Sequence, residues 1–226
     1  MLTADSIFLA WQLVTRLGEA QILLPAALAA SIWLWRRESG RPLVTVWLPL
    51  LCLATLITTA SKVAFLGWGI GLAPVNFTGV SGHAMFAAAV YPLLAGAVAA
   101  PLSPVGQRLS VLAAFALALV VGVSRVKIGA HSYSEVLAGL LLGGAASAFA
   151  LALAHMPHAK IRWWMPVGLA LWLSLSPAGA PPSRTHDWVT GLSLALSGRD
   201  TPYTRTEMMN AWRLRRATTA APVPGT

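Results

Sequence analysis

The chain has 226 residues, of which 57% are apolar and only 10% charged, with a formal net charge of +9. Ordinary soluble domains carry about 25% charged residues, and disordered chains, coiled coils and collagen have other patterns, so all of these are excluded. Cys52 stands alone, which rules out an intrachain disulfide and a cysteine metal cluster. What remains is a polytopic membrane protein.

Read in chain order, the first apolar stretch, residues 6–14, precedes Arg16 and Glu19 and suits an interfacial helix better than a full span. It lacks a basic n-region, so no cleaved signal peptide is expected. Between Arg41 and Arg184 the only charges are Lys62, Arg108, Arg125, Lys127, Glu135, Lys160 and Arg162. The gaps between them approach the roughly 20 apolar residues that cross a 30 Å hydrocarbon core. Six spans are predicted, at about 20–35, 43–61, 84–101, 109–124, 134–154 and 163–180. Each should be helical, because so apolar a chain has no other way to satisfy its backbone in lipid, and no segment alternates as a barrel strand does. The fold expected is therefore all-α, a membrane helical bundle. Trp33, Trp35, Trp163 and Trp164 fall near predicted span ends, as an aromatic belt requires. Gly139, Gly143, Gly144 and Ser147 make the fifth span a surface for close helix contact.

The basic connectors 36–41 and 155–162, and Arg108 between them, fall on one side, which the positive-inside rule makes cytoplasmic. Residues 62–83 and 125–133 then face the extracytoplasmic side, as does the tail. Three regions follow: an N-terminal segment 1–19, a membrane domain 20–180 and a basic tail 181–226 with two predicted helices, 186–196 and 204–216.

Ionisable residues at the ends of membrane helices are functional candidates. Lys62, the run Thr78-Gly79-Val80-Ser81-Gly82-His83, and the run from Ser124-Arg125 through Lys127 and His131 to Glu135 share the predicted outer face. Ser81 is placed to cap a helix, and Gly82 to let an anion approach its free amides. The plainer reading is a capped helix with an interfacial histidine. His131 and Glu135 are four residues apart, so a helix sets them on one face, where the carboxylate would fix the imidazole tautomer. Alone, that pair is also what a helix-start ion pair looks like. Arg125 and Lys127 supply cations suited to phosphate oxygens, or snorkel to headgroups. Taken together, two histidines, three cations and one carboxylate suit phosphoryl transfer without a metal. One histidine would attack phosphorus and the other protonate the leaving oxygen.

At these residues the chain resembles the type 2 phosphatidic acid phosphatase (PAP2) superfamily, whose signature is K-x6-R-P, P-S-G-H and S-R-x5-H-x3-D. The second part reads Val80-Ser81-Gly82-His83. The third reads Ser124-Arg125, then His131 after five residues, then Glu135 after three. Glu135 replaces the family's Asp, Val80 its Pro, and Gly69-Ile70 stands where Lys62 should be followed by Arg-Pro. The resemblance implies a metal-free, cofactor-free phosphatase acting on a lipid phosphate or pyrophosphate. It assigns His131 as nucleophile, His83 as general acid and Glu135 as the group orienting His131. Lys62, Ser81, Gly82, Ser124 and Arg125 would bind phosphate with Lys127. Lys127, Arg184 or a tail arginine could stand in for the missing cation. The expected partners are a lipid phosphate and membrane lipids, not nucleic acid, and the expected location is a bacterial inner membrane with the site on its outer face. A binding or transport protein and a lipid phosphotransferase are the alternative functions. The tail reads more readily as a basic surface helix on anionic lipid than as a lid in which residues 199–205 fold over the site.

Overall fold

The computed structural model describes residues 4–154, 167–168, 170–173, 175 and 184–220. Among these residues the long elements are helices: α1 (Ala4–Arg16), α2 (Ala20–Trp35), α3 (Arg41–Trp68), α4 (Gly82–Val98), α5 (Pro104–Lys127), α6 (Tyr133–Leu153), α7 (Thr185–Ser197) and α8 (Arg205–Ala220). Single 3₁₀ turns at Glu38–Gly40 and Ala73–Val75 and an isolated bridge between Leu72 and Phe77 complete the connections.

The bundle is built around α4. Its alanine-rich sequence is apolar on every side, the pattern of a helix enclosed by others, and every residue from 84 to 94 is buried. Helices α5 and α6 pack directly on it, with α2 and α3 beside them. Small residues set the α4–α6 distance. Gly139 faces the Ser81 carbonyl, and a Cβ on Gly143 would run into the backbone of Met85. One turn on, the Ser147 hydroxyl donates to the Ala88 carbonyl at 2.7 Å. That carbonyl lies four residues before Pro92, whose ring nitrogen has no hydrogen to give it, so α6 supplies the donor that α4 lacks. Trp47 of α3 ties in similarly, its buried indole N–H donating to Ala89 at 2.9 Å.

Outward faces of the long helices are apolar: Leu53, Leu56 and Ile57 on α3, Leu109, Leu112 and Leu119 on α5, Leu137, Leu141 and Phe149 on α6. In water such faces would associate; in lipid they are the ordinary solvent-facing surface. Asp5–Trp35, Glu38–Trp68, Pro104–Lys127 and Tyr133–Leu153 are long and apolar enough to cross a bilayer, and the shorter Gly82–Val98 runs inside them. This is an all-α membrane protein.

Five of the six expected spans coincide with helices, and the differences are instructive. Helix α2 alone would measure about 24 Å at 1.5 Å per residue, short of the bilayer core, but α1 precedes it across the turn Leu17-Gly18-Glu19. Helix α3 outruns its expected end at residue 61, so Lys62 lies within the helix instead of after it. Val63, Ala64, Phe65 and Leu66 extend the apolar run. The helix stops where Gly69 adopts φ +69°, with Gly69 N–H on Phe65 and Ile70 N–H on Ala64. Most of the expected span 163–180 lies outside the described residues; those described, at 167–168, 170–173 and 175, are helical.

Candidate active site

The ends of α3, α4, α5 and α6 that carry the candidate residues meet at one end of the bundle, around a cavity of about 670 Å3. Lys62, Gly82, His83, Arg125 and His131 line it, and the tail adds Trp188, Val189 and Arg205. The apolar part of the wall includes Leu24, Phe65, Leu66, Phe86 and Leu192.

One hydrogen-bonded group is built at the start of α6. Ser132 and Glu135 form a reciprocal capping box, Ser132 N–H donating to Glu135 Oε2 at 3.1 Å and Glu135 N–H to Ser132 Oγ at 3.4 Å. That box holds the Glu135 carboxylate, which is wholly buried, behind His131, whose Nδ1 lies 2.7 Å from Oε2. A carboxylate at Nδ1 keeps the proton there and leaves Nε2 with its lone pair. The other oxygen, Oε1, accepts from Thr78 N–H at 2.7 Å and Thr78 Oγ at 2.5 Å. His131 sits in the loop before α6, and burial lowers its pKa below the usual imidazole value, while the hydrogen bond to Glu135 pulls the other way.

Cations stand around this imidazole. Arg125, in the last turn of α5, donates from Nη1 to Thr15 Oγ at 2.9 Å, so α1 braces it, while its Nε is buried without a protein partner. Lys62 is packed against Gly79, whose φ of +139° requires glycine, and its Nζ lies close to Gly82 at the mouth of α4. The α1–α2 turn presses on the other histidine. A Cβ on Gly18 would meet His83 Cβ at 2.8 Å and Val121 Cγ1 at 2.7 Å.

Not every expected residue reaches the cavity. Ser81 occupies the N-cap of α4 but its side chain makes no capping bond. Its N–H instead donates to the Glu135 carbonyl at 3.1 Å, and its buried hydroxyl has no protein partner. Ser124 is buried in the wall, its hydroxyl turned back to the Val121 carbonyl at 2.6 Å. Lys127 is exposed and outside the cavity lining; Glu135, which backs His131, is buried and likewise outside it.

The tail departs most from expectation. It does more than lie along the surface: after α7 the chain turns at Gly198 and crosses the site, and Arg205 reaches Glu135. Its Nη2 lies 2.8 Å from Oε1 and 2.9 Å from Oε2. Of these contacts, Thr78 heads the candidate run 78–83 and Arg205 belongs to the less favoured reading of 199–205 as a lid, while Asn76 is not singled out by the sequence. The signal available was Gly69, a glycine where the motif has arginine, together with an arginine-bearing tail.

Comparison with known proteins agrees with the motif reading. The family model for the PAP2 superfamily matches residues 68–159. A Klebsiella pneumoniae protein, described as an uncharacterized 22.5 kDa protein in cps region, is 37% identical over 210 residues, covering 89% of this chain and 99% of its own length. No solved structure matches. A bundle of apolar helices, a histidine backed by a buried carboxylate and a full-length relative all point one way: the chain belongs to the PAP2 superfamily, whose members are generally phosphatases acting on phosphoesters.

Proposed function

We propose that the protein hydrolyses a phosphomonoester or pyrophosphate of a membrane lipid, through a phosphohistidine formed on His131. The observation that carries this is the His131–Glu135 pair. With Nδ1 committed to the carboxylate at 2.7 Å, Nε2 is the nucleophilic atom of a residue that lines the cavity. In the first step the Nε2 lone pair forms a bond to phosphorus as the bond to the leaving oxygen breaks, and His83 gives that oxygen its proton. In the second, His83 takes a proton from water as the water oxygen attacks phosphorus. The P–N bond breaks, and inorganic phosphate leaves with His131 restored. Lys62 and Arg125 neutralise the equatorial oxygens, the amides around Gly82 at the α4 N-terminus receive one of them, and Ser81 supports that turn. No metal or other cofactor takes part.

The lipid class rests on the cavity's apolar wall, which runs from Phe86 and Phe65 to Leu24 and the tail's Trp188 and Leu192. Undecaprenyl pyrophosphate, phosphatidic acid and phosphatidylglycerophosphate are substrates of this type. Residues 20–180 form the membrane phosphatase domain in this reading, flanked by the 1–19 segment and the 181–226 tail. The enzyme sits in a bacterial inner membrane with its site on the extracytoplasmic face. Arg36, Arg37 and Arg41 support that orientation, because Arg41 begins α3 about 30 Å from Lys62 along the helix axis.

The test is to quench turnover of a ³²P-labelled lipid phosphate rapidly in alkali, which preserves phosphohistidine. Wild-type protein should carry label that acid removes, and His131→Ala should carry none. Label retained in His131→Ala would overturn the assignment.

A further inference from the structure

We propose that Arg205, carried in by the basic tail, is the positioning residue that fixes the Glu135 carboxylate behind His131, making the strap over residues 198–205 part of the active site. The inference rests on the reading of His131 as nucleophile. It starts from the geometry of the carboxylate. The terminal torsion of a glutamate is broad, so an imidazole on one oxygen does not by itself fix the roll of the group. Thr78 N–H and Oγ hold Oε1, and Ser132 N–H and His131 hold Oε2, each donor on a single oxygen, whereas Nη2 of Arg205 touches both, at 2.8 and 2.9 Å, and so ties the two sides of the carboxylate together. A guanidinium holds its donors in a rigid plane, which suits it to this task.

The guanidinium is itself clamped. Nη1 donates to both the carbonyl and the side-chain oxygen of Asn76, at 3.1 and 2.8 Å. Asn76 has φ +53°, a left-handed conformation that asparagine tolerates, and both of its oxygens serve Arg205. Nη2 also donates to Thr78 Oγ at 3.1 Å. Both terminal nitrogens are therefore committed to protein acceptors. That arrangement argues for a strut on Glu135 and against a fork waiting for phosphate oxygens.

The strap is seated where the first motif departs from its family. Tyr203 N–H donates to the Leu66 carbonyl at 2.7 Å, and its ring meets Phe65 edge-on at 5.8 Å between centroids. A Cβ on Gly69 would approach that ring at 2.9 Å, so the residue that lacks the expected arginine is the one that admits the tail. Beyond Arg205, buried Met208 lies against Gly71.

The experiment compares full-length, detergent-purified wild type with Arg205→Gln and Arg205→Lys by two readouts. The first is the tautomer of His131, followed by ¹⁵N NMR of histidine-labelled protein with the resonance assigned through His131→Ala. The wild type should show the Nδ1–H tautomer, Arg205→Gln a mixture, and Arg205→Lys an intermediate state, because lysine returns the charge without the planar fork. The second is turnover of a short-chain phosphatidate. Arg205→Gln should lower kcat by about 10²-fold with little change in KM, and Arg205→Lys should recover part of it. An unchanged tautomer in Arg205→Gln would overturn the proposal, as would a raised KM at constant kcat, which would make Arg205 a phosphate contact. Absence of turnover in the wild type would count against the phosphatase reading, while the NMR comparison would still decide Arg205.

Discussion

Two opposing influences meet at His131. Burial disfavours its charged form more than its hydrogen bond to Glu135 favours it, so the imidazole is biased toward the neutral form, as the proposed nucleophile must be. A depressed folded-state pKa has a definite sign for stability. Its contribution is fully present above the unfolded value of about 6.5 and is lost as pH falls through the folded value. Thermal midpoints measured from about pH 7 to pH 4 should therefore fall more steeply for the wild type than for His131→Ala, and kcat/KM should drop on the same acidic limb. A wild type that gains stability on acidification through that window would contradict the account. The pairing of His131 with Glu135 was legible from their spacing of four, but not by the shared helix face expected: His131 precedes α6, and the capping box that starts the helix between them brings the two together. Ser124 and Lys127 were not legible, because successive residues on α5 point in different directions: Arg125 lines the cavity, Ser124 turns back on its own helix, and Lys127 faces outward.

Among the elements, hydropathy located the helices well and their ends less well. An apolar run stops being informative where a charge faces a cavity inside the bundle, as Lys62 does within α3. The end of that helix is set by Gly69 in a left-handed conformation, which composition does not reveal. The tail's path was the least legible feature, since nothing local in residues 198–205 encodes the surface they cross. It follows from a long-range fit between Gly69 and Tyr203. Restoring the family's residue is therefore expected to harm this protein. Gly69→Arg would strain the backbone at φ +69° and displace the Tyr203 ring, releasing the strap. Limited proteolysis should then cut between residues 198 and 205 more readily, with activity falling alongside. Full activity with an intact strap would show that Tyr203 is not its anchor.

For the molecule as a whole, composition and charge spacing were enough to reach a helical membrane bundle, because lipid leaves an apolar backbone few alternatives. Its architecture serves the site directly. A small-residue α4 lets α5 and α6 close in, so that the ends of α3 to α6 bring Lys62, His83, Arg125 and His131 around one cavity. The α1–α2 turn and the tail complete its lining, Gly18 against His83 and Arg205 against Glu135. The measurement that tests this most directly is phosphate release by the purified full-length protein from a panel of lipid mono- and diphosphates, with chelator present and His131→Ala in parallel. The account predicts release from at least one lipid that persists in chelator and disappears in the variant. Release that needs a divalent metal, or that survives loss of His131, would contradict it.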